Sequence, residues 1–79
     1  MGGETEKEIL KILEEAIQRE QSAYRLYSRG ESLAGKSELR EVFAMLAKEE
    51  QGHEKLLKQV HHEYKKQLGL KLLDKDGNV

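Results

Sequence analysis

From Ile9 onward, one set of positions returns at alternating steps of four and three: Ile9, Leu13, Ala16, Glu20, Ala23, Tyr27, Gly30 and Ala34. Such spacing lines one face of a helix like the seam of a coiled coil, and Ile12, Ile17 and Tyr24 widen it. A second run, Leu39, Phe43, Leu46, Glu50, His53, Leu57, Val60 and Tyr64, repeats the same steps and is flanked by Val42 and Leu56. Between the runs, Ala34-Gly35-Lys36-Ser37 offers a glycine for a left-handed C-cap and a serine for the next N-cap. A break this short predicts an antiparallel hairpin. Thr5-Glu6-Lys7-Glu8 reads as a capping box, while Lys65, Lys66 and Gly69 suit a helix C-terminus. The predicted elements are one helix over about 6–34, a second over about 38–67 and a short tail over 69–79, forming a single domain over 1–79. Gly30, inside the first helix, predicts close packing or a slight bend.

Composition narrows what this all-α hairpin can be. Proline is absent, which favours long helices. A chain of 79 residues buries too little surface to be comfortable alone. The absence of cysteine removes disulfides, iron–sulfur clusters and thiolate zinc sites as props. Self-association, or a metal held by histidine and carboxylates, remains. The net charge of −1, with charges of both signs interspersed, argues against nucleic acid or an anionic membrane as partner. No apolar run reaches membrane-spanning length and Met1-Gly2-Gly3-Glu4 leads straight into charge, so the expected location is cytoplasmic. In the tail, Asp74-Lys75-Asp76-Gly77 reads as a frayed turn rather than a calcium loop, and the tail leucines are candidates to dock on a neighbouring chain.

Three ionisable residues interrupt the apolar seams: Glu20 on the first, Glu50 and His53 on the second. Removing a carboxylate from water costs several kcal/mol unless a cation or hydrogen bonds compensate. If the chain reverses near Lys36, Glu20 lies sixteen residues before the turn and Glu50 and His53 fourteen and seventeen after it. At about 1.5 Å per residue all three stand within roughly one turn of height. Glu50 and His53, three residues apart, leave one face together. They form a candidate metal site, catalytic as well as ligating, for which one hairpin supplies only two carboxylates and one imidazole. Four-helix di-iron and di-manganese proteins use a Glu from each of two helices and a Glu-x-x-His from each of the other two. A homodimer would supply that set.

Glu20 followed by Tyr24 and Tyr27, then Leu39-Arg40-Glu41-Val42-Phe43 through Glu49-Glu50-Gln51-Gly52-His53-Glu54, resembles half of a ferritin-like or rubrerythrin-like domain over roughly residues 9–64. Within that superfamily the chain is most similar to the encapsulated ferritins, two-helix chains that pair into a four-helix bundle. The resemblance implies a ferroxidase-type di-iron oxidoreductase with two irons per dimer, Glu20, Glu50 and His53 as ligands, and Tyr24 or Tyr27 near the metal. It also implies a homo-oligomer, a dimer or a higher ring, and an encapsulin shell as partner, although an encapsulin-targeting motif and a cysteine-bound rubredoxin module are both missing from this sequence.

Two other functions compete with ferroxidase activity for iron storage or detoxification. One is a rubrerythrin-like peroxide reductase, or a manganese or zinc protein, on the same ligands, since availability as much as affinity decides which metal fills such a site. The other is a purely structural self-associating hairpin. Glu49 and Glu54 are expected to face solvent beside lysines, His61 and His62 to be surface or interface histidines, and Glu31 to be a surface carboxylate.

Overall fold

In a computed structural model the backbone is described for residues 3–76 and side chains as far as Gly69. Two helices, α1 (Gly3–Ala34) and α2 (Glu38–Asp76), make up the fold. Both start with acidic residues in the first turn, Glu4 and Glu6 on α1 and Glu38 and Glu41 on α2, where they complement the positive end of the helix dipole. The start of α1 precedes the expected capping box, so Thr5 lies within the helix. At the other end, α2 runs through Gly69, which keeps a helical φ, and on past the expected stop near residue 67. A single glycine costs only about 1 kcal/mol in a helix, and the leucines that follow are good helix formers. The expected frayed turn at 74–77 is helical as far as Asp76; its remainder and the tail leucines' side chains lie outside the described residues.

The reversal is as short as its sequence predicts. Gly35 adopts φ +63°, a left-handed conformation that a Cβ would penalise. Ser37 then ties the turn from the far side. Both its amide and its Oγ donate to the Ala34 carbonyl, at 3.3 and 2.9 Å, while its own carbonyl accepts from the Arg40 amide at 3.1 Å. Its hydroxyl thus satisfies the end of α1 rather than capping α2.

The molecule measures 61 × 18 × 11 Å, with a radius of gyration of 18.1 Å. A compact chain of this length would have roughly 12 Å. The shortest dimension matches the diameter of one helix, about 10–12 Å. The hairpin is therefore a single layer, and Ala47, 5% exposed, is the only buried apolar residue among the described residues. On α2 the positions turned toward α1 are Phe43, Ala47, Glu50, Glu54, Leu57, His61, Tyr64 and Leu68. This is the expected four-three period displaced toward the adjacent edge: Leu39, His53 and Val60, expected on the buried seam, are exposed, as is Ile9 on α1. Gly30 continues α1 in close packing, since a Cβ there would stand 2.9 Å from the Phe43 ring. That ring stacks on Tyr27 with centroids 6.5 Å apart.

The two long edges of the hairpin differ. On one, Gln21 meets Glu54 and Glu14 meets His61. The other edge carries His53, with Leu39, Leu46 and Val60 at intervals of seven along α2, and Ile9, Ile12, Leu26 and Leu33 on the flank of α1 turned away from Gln21. Val42 and Leu56 extend it, and all of these except Leu46 are exposed, Leu33 to 82%. No helix among the described residues is long and apolar enough to cross a membrane.

Candidate metal centre

Near the middle of the hairpin, one ligand atom each from Glu20, Glu50 and His53 falls within 4.8 Å of the others. Helical geometry alone brings Glu50 and His53 together. The hairpin register adds Glu20 from the opposite helix. His53 Nδ1 lies 3.0 Å from Glu50 Oε1 and 3.4 Å from Glu20 Oε1. Side-chain exposure is 17% for Glu50, 23% for Glu20 and 60% for His53, which places the carboxylates between the helices and the imidazole at the apolar edge. The sequence expectation that all three share a buried face holds for the carboxylates and is corrected for His53. Its neighbours on the exposed stripe, Leu39 and Val60, are uncovered for the same reason: α1 covers only one side of α2.

The three groups perturb one another, the two carboxyls most of all. A hydrogen bond with Glu50 is the main cause raising the Glu20 carboxyl above its ordinary range, with burial adding to it. The same bond is the main cause lowering Glu50. The two carboxyls are thus pushed in opposite directions, Glu20 being the more readily protonated of the pair. His53 is raised above its ordinary value, first by its hydrogen bond to Glu50. Its Nδ1 faces two carboxylate oxygens, so a proton at that nitrogen stands where these donors would otherwise gather round a cation. Two carboxylates and an imidazole are a donor set suited to iron, manganese or zinc.

The remaining candidates are distributed around this cluster. Tyr27 lies on the inner face of α1 seven residues from Glu20, occupied in stacking on Phe43. Tyr24 is half-buried on the same helix, and the cluster's polar contacts are among its own three residues rather than with either tyrosine. Glu49 and His62 are exposed, as expected, whereas Glu31 is half-buried. Glu54 has the expected lysine partner, Lys58 Nζ at 2.9 Å, yet it turns inward and also accepts from Gln21 Nε2 at 2.8 Å. These two bonds, Lys58 first, hold its carboxyl below the usual range. His61 is 20% exposed and reaches Glu14 Oε2 across the hairpin at 3.3 Å, so it is an inter-helix residue rather than a surface one. The sequence carried a signal for both contacts: Glu14 and Gln21 are seven apart on α1, and His61 and Glu54 seven apart on α2 in the reverse direction.

A half-buried Glu on one helix facing a Glu-x-x-His on an antiparallel neighbour defines the class: a ferritin-like hairpin of the carboxylate–histidine type. Comparison with known families agrees, the rubrerythrin family model matching residues 11–79. The chain belongs to the rubrerythrin family, whose domains bind iron. No curated protein and no solved structure matches it.

Proposed function

We propose that two copies of this hairpin pair through their apolar edges and complete a di-iron centre, with two irons per dimer, at which Fe(II) is oxidised. The observation that carries this reading is the convergence of Glu20, Glu50 and His53 within 4.8 Å at the one edge that remains apolar and uncovered. Membership of the rubrerythrin family supports iron as the metal. The single-layer shape supports the second copy, since a helix pair with an apolar flank reaches a stable core by packing on another layer. Four carboxylates from two chains balance two divalent cations. Fe(II) bound there as substrate would give up one electron per ion to dioxygen or peroxide and would leave, or be stored, as Fe(III). Glu20 and Glu50 neutralise its charge, His53 fixes its position from the edge, and the flanking Leu39, Leu46, Leu56 and Val60 exclude water once covered. A surrounding protein shell would supply the storage volume that a hairpin lacks.

Family membership also supports peroxide reduction on the same residues as the second reading. Anaerobic loading with Fe(II), followed by dioxygen in one arm and hydrogen peroxide in the other, separates the two. Ferric absorbance that develops rapidly with dioxygen supports ferroxidase activity, and a response confined to peroxide supports the alternative. Metal analysis paired with oligomeric mass is expected to give two metals per dimer, and Glu50→Ala is expected to abolish uptake. Two metals per dimer retained in Glu50→Ala would falsify the site.

A further inference from the structure

Beside the metal cluster, on the edge turned away from His53, Gln21 Nε2 donates across the hairpin to Glu54 Oε2 at 2.8 Å. Gln21 directly follows Glu20, while Glu54 directly follows His53 and lies one turn beyond Glu50. The same Oε2 accepts from Lys58 Nζ at 2.9 Å, one turn further along α2. Arg25 adds positive charge nearby and donates to Ser22 Oγ at 3.3 Å. The bond joins residues 33 apart in sequence and is partly buried. It therefore ties one helix to the other at the level of the site.

Geometry makes such a tie consequential. Sliding α2 by one residue against α1 moves its side chains by about 1.5 Å and turns them by about 100°. Either change separates Glu20 from Glu50 and from His53, whose Nδ1 lies 3.4 Å from the Glu20 carboxylate. Apolar interlocking does little to prevent the slide here. The facing positions at this height are Glu20, Gln21, Glu50 and Glu54, and the nearest buried apolar residue is the small Ala47. A directional hydrogen bond discriminates between registers where alanine packing does not.

Lys58 has a separate consequence. Glu54 would be a further acidic donor one turn from Glu50, and a third carboxylate per chain would exceed the charge that two divalent cations balance in a dimer. Bonded to Lys58 and Gln21, its carboxylate is already neutralised and turned to the opposite edge.

We propose that the Gln21–Glu54 bond, backed by Lys58, is a positioning element for the metal centre: it holds the inter-helix register that brings Glu20 to Glu50 and His53, and it keeps Glu54 out of the ligand set. The proposal rests on the metal-binding reading above. The Glu14–His61 contact, one heptad away along both helices, provides an internal control because it joins the same helices without adjoining a ligand.

The test uses the full-length chain, freed of metal by chelation and titrated with Co(II), whose visible absorption reports ligand geometry. Gln21→Met and Gln21→Leu remove the donor while retaining helix-compatible side chains; Glu54→Gln keeps an oxygen that Gln21 can reach; His61→Leu breaks the control contact. Both Gln21 variants are expected to retain wild-type helicity, weaken Co(II) affinity about tenfold or more and change the absorption band, an effect of the size seen for residues that orient ligands. Glu54→Gln and His61→Leu are expected to stay within about threefold of wild type. Wild-type affinity and spectrum in either Gln21 variant overturn the proposal. So does a loss in His61→Leu or Glu54→Gln as large as that in Gln21→Met. A wild-type chain that takes up no Co(II) overturns the metal-binding reading and this one together, whereas normal wild-type uptake with unchanged Gln21 variants overturns this one alone.

Discussion

Gly30→Ala tests the packing that sets the distance between the helices. The added Cβ would lie 2.9 Å from Cδ1 and Cε1 of Phe43 and 3.0 Å from Cδ2. Carbon pairs attract best at about 3.5–4.0 Å, so the methyl intrudes by roughly 0.6 Å on a rigid ring. The ring has little room to retreat, being stacked on Tyr27. Overpacking of this kind costs about 1–3 kcal/mol, while replacing a helical glycine by alanine returns about 1 kcal/mol. Gly52 provides the reference, because it is also helical but an added Cβ there meets nothing within 4 Å. Gly52→Ala is therefore expected to stabilise the chain by about 1 kcal/mol, and the difference between the two variants isolates the Phe43 contact at about 1–3 kcal/mol. For a domain of this size 1 kcal/mol corresponds to about 4–8 °C in Tm. Thermal unfolding followed by circular dichroism, on metal-free protein at one fixed concentration, should place Gly30→Ala at least about 5 °C below Gly52→Ala. Equal upward shifts in both variants would show that α1 and α2 do not approach at Gly30.

Two further outcomes follow from the site and its edge. Leu56→Glu, in the centre of the exposed apolar flank, is expected to leave helicity intact and shift the chain to monomer in sedimentation; an unchanged dimer mass refutes pairing through that edge. Metal uptake is expected to depend on pH, since a cation has to compete with protons at His53 and Glu20, both raised above their ordinary values. Affinity should be greatest above the raised His53 value and should fall as pH drops through it and then through that of Glu20; a flat Co(II) titration between about pH 8 and pH 5 contradicts the ligand assignment.

Without metal the sign reverses for those two groups. A raised pKa means the folded chain favours the protonated form. The stabilisation from His53 is complete below its ordinary value of 6.5 and is lost as pH rises through the folded value. That from Glu20 behaves likewise at lower pH. Glu50 is lowered, so its contribution is present above its ordinary value of 4.5 and lost as pH falls through the folded one. The metal-free hairpin thus loses stability over the same rise in pH, above 6.5, that favours metal binding.

The two-helix fold and its turn were legible because their signals are local: the four-three repeat, the left-handed glycine and the absence of proline. The convergence of Glu20, Glu50 and His53 was legible because two constraints coincided, a three-residue spacing within one helix and equal height across a short turn. The side of α2 that faces α1 was harder to read. Leu39, Leu46, His53 and Val60 form an apolar stripe as regular as Ala47, Glu54, His61 and Leu68 beside it, and hydrophobicity favours the former. The hairpin turns the more polar stripe inward because Glu54 and His61 find partners there, Gln21 and Glu14, which apolar periodicity does not register. The far end of α2 was misjudged because capping residues only permit a helix to end, and the leucines beyond Gly69 carried it further.

This exchange of stripes explains why the Glu20–Glu50–His53 cluster lies where it does. Were Leu39, Leu46 and Val60 packed against α1, His53 would be enclosed with them and the flank of each helix left in water would be polar, giving a self-sufficient hairpin with a closed site. Instead the polar contacts between α1 and α2 are satisfied within the chain along one edge, and the large apolar residues are left on the other. Covering the second edge is favourable at about 25 cal/mol per Å² of apolar surface, while covering the first gains little because its donors and acceptors are already paired. An added layer is therefore directed to the edge that holds His53. The residue most exposed in the cluster is the one such a layer would enclose, so under the proposed pairing, assembly and enclosure of Glu20, Glu50 and His53 would be one event.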